Sequence, residues 1–552
     1  MAFRQARHRR RYGLTIALVL VAYAAISANA ADDGTGRIKD ELDRADRERR
    51  DLRLDDVRPG VTPSLPDLVP ETLAGGPCFT IERIHVIDAA LLGEARVRRV
   101  VAPLEGHCLA AADIAALKRE LTALAFEQGL VTTRVVVPEQ NLAAGELRLQ
   151  VWPGRLEAVQ LEGLNRRTLA MATPLAPGDL LNLRALDQTV ENLDRLESVT
   201  ARVDLLPGEE PGGSIAAWTA TRTRPLHLAV SLDSQSLNDD PDNSARAAVT
   251  WDNPAGLADR LVLGVNSNVE DVALEDASGW NAFYDVPFGW WRLGAGAERY
   301  IYDNTLQSAL NNWRSHGNNG AIRAELGRVL FRDATRSVRA TLHGRARSAR
   351  NYIDGVQILV SSSDVTVTGL RLEHSQRGTA LTLDAALNIE HGSAQSFALP
   401  GKDDYARADA FVRLVRALPV GDASLQLEGQ WADDHLLPSE QLSLAGAGRV
   451  PGFASVDVVA DSGAAARLEY GWAYSTAGEA PLSVRPALRL DTGWASGRDA
   501  QDQPARIAAV SALASVRHGA LAAQLQAARP LPGPSSVPAS RWQLDASLTM
   551  AW

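Results

Sequence analysis

The sequence predicts a mostly β chain: a C-terminal transmembrane β-barrel of about sixteen antiparallel strands, preceded by two small α+β domains and an N-terminal charged helix. Three observations lead there. Residues 225–552 repeat short segments in which apolar and polar residues alternate, they hold ten of the twelve tryptophans, and the chain ends on an aromatic residue, Trp552, inside such a segment. Past residue 30, no stretch approaches the eighteen uncharged apolar residues that a spanning helix needs. Only helices and closed barrels satisfy every backbone group inside lipid, so a barrel is the membrane structure left open.

The alternation has a consistent sense. Leu226, Leu228, Val230 and Leu232 share one face, with His227, Ala229, Ser231 and Asp233 on the other. Leu381, Leu383, Ala385, Leu387 and Ile389 oppose Thr382, Asp384, Asn388 and Glu390. Trp542, Leu544, Ala546, Leu548, Met550 and Trp552 oppose Gln543, Asp545, Ser547 and Thr549. A soluble sandwich alternates too, but the number of strands and the aromatic terminus favour apolar positions facing lipid and polar ones facing a wet lumen. At about twenty residues per strand with its connection, residues 225–552 allow roughly sixteen strands, wide enough to enclose a polar lumen.

Residues 1–30 carry Arg4, Arg7, Arg9, Arg10 and Arg11, an apolar run over 14–26 and small residues ending at Ala30, the pattern of a cleaved secretory signal. Its removal takes away five arginines and no acid, moving the formal charge from −10 to −15 for residues 31–552. That acidic balance gives no sign of a nucleic-acid partner, which calls for a basic face. Residues 31–55 contain a helix charged on all sides, with Asp40/Arg44, Asp43/Arg47 and Asp46/Arg50 spaced as i, i+4 pairs. No face of it suits a core, so it is solvated or lies in a polar channel. Residues 56–76, punctuated by Pro59, Pro63, Pro66 and Pro70, read as an extended linker.

Two modules follow. In residues 77–153 the pattern is β, α, α, β, β, with strands near 79–86, 131–137 and 147–152 and a helix over 112–128 carrying Ile114, Leu117, Leu121 and Leu124. Residues 154–224 give a strand at 157–161, a helix around 183–196 and a strand at 201–205. Cys78 and Cys108 lie thirty positions apart in an exported chain, where a disulfide staple is expected. No cofactor, metal site or catalytic set is expected. Only His107 adjoins a cysteine, Gly401-Lys402 lacks the rest of a phosphate-binding loop, and no G-x-S-x-G elbow occurs.

These residues resemble the outer-membrane transporters of two-partner secretion, which export haemolysins and filamentous haemagglutinins. The resemblance is strongest over Pro77-Cys78-Phe79-Thr80-Ile81, Gly106-His107-Cys108-Leu109, Gly129-Leu130-Val131-Thr132-Thr133-Arg134-Val135 and Val137-Pro138-Glu139-Gln140-Asn141-Leu142, which look like the first POTRA domain of that family. Asn182-Leu183-Arg184 and Asn192-Leu193-Asp194-Arg195-Leu196 look like the second. In the barrel, Asp252-Asn253-Pro254, Asp285-Val286-Pro287-Phe288-Gly289-Trp290 and Arg328-Val329-Leu330-Phe331-Arg332-Asp333 are similar to family strand and turn motifs.

The resemblance implies a protein that is not an enzyme. It implies an outer-membrane transporter with its N-terminal region and C-terminus in the periplasm. Its partners would be an unfolded exported polypeptide, typically a large β-helical exoprotein, outer-membrane lipid and lipopolysaccharide, and the barrel assembly machinery that reads a C-terminal aromatic such as Trp552. Barrel assembly or a passive pore are the alternatives. Residues 31–55 resemble the family's plug. A family loop that folds into the barrel carries Val-Arg-Gly-aromatic, its Arg pairing with an Asp of the wall. The matching segment here is Arg449-Val450-Pro451-Gly452-Phe453, with Pro451 in place of that Arg, while Leu490-Asp491-Thr492-Gly493 resembles the wall motif and Arg467-Leu468-Glu469 the strand after the loop. In an extended segment Arg449 would lie on the same side as position 451 and would supply the charge to Asp491; the alternatives are a loop anchored differently or an activity that has drifted.

Overall fold

The computed structural model describes Arg44, Arg47, Arg50 and residues 77–552, except 238–239, 270–274, 308–311, 397–402, 447–448, 454–457, 479–480, 497–504 and 533–541. The signal over 1–30, the linker over 56–76 and the rest of the 31–55 helix lie outside the described residues.

The first module runs β1 (Phe79–Ile81), β2 (Arg83–Ile87), α1 (Glu94–Val101), β3 (His107–Leu109), α2 (Ala111–Glu127), β4 (Arg134–Val136) and β5 (Glu146–Trp152). β2 and β5 pair in parallel, as a crossover through two helices requires, and β4 adds antiparallel to β5. Helix α2 starts where the Asp113 carboxylate accepts the Ala110 N–H at 2.8 Å, and it buries Ile114, Leu117, Leu121 and Ala125 along one face against Leu147, Leu149 and Val151 of β5. Cys78 and Cys108 are joined by a disulfide that ties the chain before β1 to β3. A loop of that length is worth roughly 3–4 kcal/mol in the chain-entropy account.

The second module is β6 (Arg155–Glu162), α3 (Arg166–Ala172), α4 (Leu183–Asp194), β7 (Val199–Pro207) and β8 (Gly213–Arg222), with sheet order β6-β8-β7. Its core holds Leu156, Leu169, Leu181, Leu193, Leu196 and Trp218.

The rest closes into a barrel: β9 (Leu226–Leu237), β10 (Asp240–Asp252), β11 (Arg260–Asn268), β12 (Glu275–Phe288), β13 (Trp291–Gln307), β14 (Asn312–Arg332), β15 (Arg336–Ile353), the short β16 (Val356–Gln357), β17 (Ser363–Arg377), β18 (Leu381–Ser396), β19 (Asp403–Ala417) and β20 (Asp422–Ala432). After the short β21 (Leu442–Ser443) and β22 (Val459–Ala460) come β23 (Ser462–Gly471), the short β24 (Tyr474–Ser475), β25 (Leu482–Ser496), β26 (Ala505–His518), β27 (Leu521–Pro530) and β28 (Gln543–Ala551). Leaving out the four short pieces, sixteen antiparallel strands form the wall, and β28 returns to β9 from Gln543↔Leu237 to Ala551↔Ala229. Burial is inverted relative to a soluble protein: Ile389 is 54% exposed while its neighbour-but-four on the other face, Asp384, is 0% exposed. The apolar side of each alternating segment therefore faces outward and the polar side lines the lumen.

The polar face of α4 does not meet water. Asp187, Gln188, Glu191 and Asn192 are all buried, because α4 docks on the barrel rim. Glu191 receives Arg332 from the end of β14 and Arg339 Nη2 from β15 at 3.2 Å. Asn192 Nδ2 donates to the Gly289 carbonyl at 2.9 Å, Arg195 pairs with Asp285 and donates to the Ala258 carbonyl at 2.6 Å, and the Ser198 N–H donates to Asp252 at 2.8 Å. From α3, Thr168 Oγ1 donates to the Gly256 carbonyl at 3.1 Å. The sequence motifs around Asp252, Asp285 and Arg332 are thus the barrel half of this joint.

Burial alone would raise the Glu191 carboxyl, but the charges of Arg332 and Arg339 outweigh it and hold the group below its ordinary value. A carboxylate depressed in the folded state contributes stability that is present above the ordinary value, about 4.3, and is lost as pH falls through the folded value. Acidification below about pH 4 should therefore loosen the joint, measured as a widening of spin-label distances between the second module and the barrel. Glu191→Gln should reduce that pH dependence, leaving the part carried by Asp285 and Asp252, and weaken the joint by about 3–5 kcal/mol at neutral pH. An unchanged pH profile in Glu191→Gln would contradict the assignment.

Candidate functional site: the lumen and its inward loop

Between β20 and β23, the described residues of 433–461 turn into the barrel. Three kinds of contact hold them. Glu440, 2% exposed, takes Arg345 at 2.6 Å, Arg347 at 3.2 Å and Arg407 at 3.1 Å from β15 and β19. An apolar tip of Leu442, Leu444, Val450, Phe453 and Val458 packs on Ala495, Ile507 and Ala509 of β25 and β26. At the far wall the Gly452 N–H donates to Gln543 of β28. Gly452 sits at φ +88°, and a Cβ there would come within 2.8 Å of Pro530, so both conformation and space ask for glycine. Gly493 plays the matching part on the wall, where a Cβ would press on Val450 at 3.3 Å and Leu444 at 3.4 Å.

The segment Arg449-Val450-Pro451-Gly452-Phe453 does not carry its charge to Asp491. Arg449 Nε pairs with Glu428 of β20 at 3.1 Å, and its Nη1 donates to the Ser443 carbonyl at 2.7 Å. Asp491 pairs instead with Arg467 Nε at 2.6 Å, from the residue directly opposite in the β23–β25 register. The extended geometry assumed from the sequence fails because the chain turns here: the Arg449 N–H bonds to the Gly446 carbonyl at 3.2 Å, and Val450 bridges back to Ala445. The Arg449 side chain that follows this turn reaches Glu428 and the Ser443 carbonyl instead of Asp491. Arg467 also donates through Nη2 to the Arg449 carbonyl at 3.1 Å, so the wall arginine grips the loop by its backbone. Where the resembling family uses a loop arginine, this chain uses Arg467.

Arg44, Arg47 and Arg50 are helical and spaced three apart, hence on one face. Arg50 donates to Glu428 at 3.1 Å and stacks over the Phe411 ring at 3.7 Å, while Arg44 lies 3.9 Å from Asp233 of β9. Glu428 thus serves both the N-terminal helix and the loop. Sequence reasoning singled out neither Glu428 nor Glu440, and an acidic residue on the polar side of a strand or in a loop carries no signal that an arginine across the lumen will meet it. Trp552 closes the wall beside β9, exchanging backbone hydrogen bonds with Leu228 at 2.9 and 3.2 Å.

Arg467→Ala, and not Arg449→Ala, should reproduce Asp491→Ala. Each should lower stability by about 3–5 kcal/mol, because stripping one partner leaves a buried charge. The double variant should be no worse than Arg467→Ala alone, since that change already removes the ion pair that Asp491→Ala takes away, together with the bond to the Arg449 carbonyl. Urea unfolding from detergent micelles reads this, and additive effects would refute the pairing.

The comparisons with known proteins agree with this architecture. Residues 212–516 match the family described as haemolysin secretion/activation protein ShlB/FhaC/HecB, residues 79–154 a POTRA domain of ShlB type and residues 155–207 a POTRA domain. The chain is 29% identical over 511 residues to the outer membrane transporter CdiB of Escherichia coli O6:K15:H31, covering 89% of this chain and 84% of that one. It is 28% identical over 450 residues to the hemolysin transporter protein ShlB of Serratia marcescens, covering 79% and 78%. The solved structure of CdiB from Escherichia coli superposes with a TM-score of 0.82 at 25% identity, over 95% of this chain and all of that one. With a matching family domain over more than half its length, the chain belongs to the ShlB/FhaC/HecB family of haemolysin secretion/activation proteins, outer-membrane transporters with POTRA domains.

Proposed function

We propose that the chain receives one exported polypeptide in the periplasm on its two POTRA domains and passes it, unfolded, through the barrel to the cell surface. The expected partner is a large β-helical exoprotein. The observation that carries this reading is a closed barrel whose polar lumen is occupied by parts of the same chain, with two receptor domains ahead of it, the second docked on the rim. Fillings held by ion pairs can be exchanged for a passing chain, whereas a passive pore has no use for docked receptors. Trp552 lies beside Leu228, near the POTRA end of β9, which supports a periplasmic C-terminus and a terminal aromatic presented to the barrel assembly machinery. The outward apolar face suits outer-membrane lipid and lipopolysaccharide.

Strand addition is the simplest way for the receptor domains to hold an unfolded chain. In the first module the edges are partly capped by side chains: Glu105 takes the Ile84 N–H at 3.0 Å, and the Gln140 amide takes both backbone groups of Arg148 at 2.7 and 2.8 Å. In the second, Asp194 caps Ala201 on the outer edge of β7 at 3.1 Å. Val203 and Leu205, in phase with Ala201, carry no such cap among the described residues. That supports β7 as the receiving edge.

Secreted and outer-membrane proteomes of a deletion strain and its complemented parent test the reading. Loss of one large polypeptide from the medium is expected, while a general fall in outer-membrane barrels would point to barrel assembly. Residues 31–55 are the resting plug in this reading, with Arg44 and Arg50 anchored on Asp233 and Glu428. Deleting them should raise single-channel conductance in planar bilayers, and unchanged conductance would leave them a periplasmic tail.

A further inference from the structure

Glu440 is held as a ligand is held. Its two oxygens are shared among Arg345, Arg347 and Arg407, Arg407 also donates to the Glu440 carbonyl at 3.1 Å, and the carboxylate is sealed from solvent. The three arginines come from the barrel wall, whereas Glu440 comes from the inward loop. The same wall adds Glu390, which pairs with Arg407 and with His343 at 3.0 Å, and Asp409, 3.3 Å from Arg407. Among the described residues, this connected set brings three guanidiniums against three carboxylates, of which Glu390 and Asp409 lie on strands and Glu440 on the loop. Beside it lies a lumen cavity of about 240 Å³.

We propose that Arg345, Arg347 and Arg407 form a carboxylate-binding pocket of the translocation path, occupied at rest by Glu440 as an internal ligand and, when the loop is displaced, by aspartate or glutamate side chains of the polypeptide in transit. This rests on the transport reading above. Removing Glu440 takes one negative charge away from three wall arginines, where an unbalanced charge is costly and an incoming carboxylate is the direct replacement. Arginine suits the task, since its planar fork grips a carboxylate through two donors yet gives it up to an equivalent one. Acidic side chains would then be passed along the wall singly, with no demand on the sequence around them.

The test uses the full-length protein in planar bilayers, with hexaglutamate and hexaserine as probes. Glu440→Gln should raise resting conductance and make the channel sensitive to block by hexaglutamate, at least about tenfold more than wild type, whose pocket is filled. Hexaserine should block neither. Adding Arg345→Gln to Glu440→Gln should weaken the hexaglutamate block at least about tenfold. Should Glu440→Gln fail to fold, the exchange pair Arg345→Glu with Glu440→Arg keeps the charges balanced; it should restore the closed loop and show no hexaglutamate block. Equal block of Glu440→Gln with and without Arg345, equal block by hexaserine, or block of the exchange pair would overturn the pocket. The bilayer readout is independent of secretion: an intact pocket with no polypeptide lost in the deletion strain would fault the transport reading alone.

Discussion

Everything in this molecule depends on closing the sheet between β28 and β9. Inside lipid an open strand edge would leave a row of backbone donors and acceptors without partners, each costing several kcal/mol, so the wall exists only as a ring. Nine register pairs from Gln543↔Leu237 to Ala551↔Ala229 make that ring complete, and Trp552 extends it by exchanging bonds with Leu228. Once the ring is closed, the period of two along each strand sorts the side chains with no further instruction: one set to lipid, the other to the enclosed lumen.

The enclosed set sets the second constraint. A lumen lined by charged residues and partly filled by protein must balance its charges locally, because solvation is reduced there. Arginine does most of this work, meeting Glu191 at the POTRA joint, Glu440 and Glu428 at the loop, and Asp491 on the wall. These contacts contribute modestly to net stability, since desolvation offsets much of the attraction, but they are geometrically selective. They fix where α4 sits on the rim and which wall the loop touches. They are also exchangeable in a way that the apolar contact of Leu444 and Phe453 with Ala509 is not, because one carboxylate can replace another at the same fork.

Position 451 shows how such a network tolerates change. Proline there removes a side-chain anchor, yet Asp491 keeps a guanidinium partner because Arg467 stands opposite it in register, and the loop stays tied through the Arg449 carbonyl and the Gly452 N–H. A backbone anchor does not depend on which side chain the loop carries. In this chain the partner of Asp491 is a wall residue, Arg467, and not a residue of the loop.

The sequence by itself determined the elements and their faces. Leu381 to Ile389 alternate because strands have a period of two, Ile114 to Leu121 recur at three and four because helices have a period near 3.6, and both periods are local properties of the backbone. Cys78 and Cys108 were readable as a staple for the same reason: two cysteines in an exported chain have few other uses. Less regular pieces escaped, among them α3 and β8, whose periodic signal is short, and the burial of Glu191, which looks like the solvated side of an amphipathic helix. What only the tertiary structure decided is which charges meet. Arg449 with Glu428, Arg467 with Asp491 and Glu440 with its three arginines join residues brought together by strand register, barrel closure and a turn at Gly446, and electrostatic pairing follows distance in space rather than spacing along the chain.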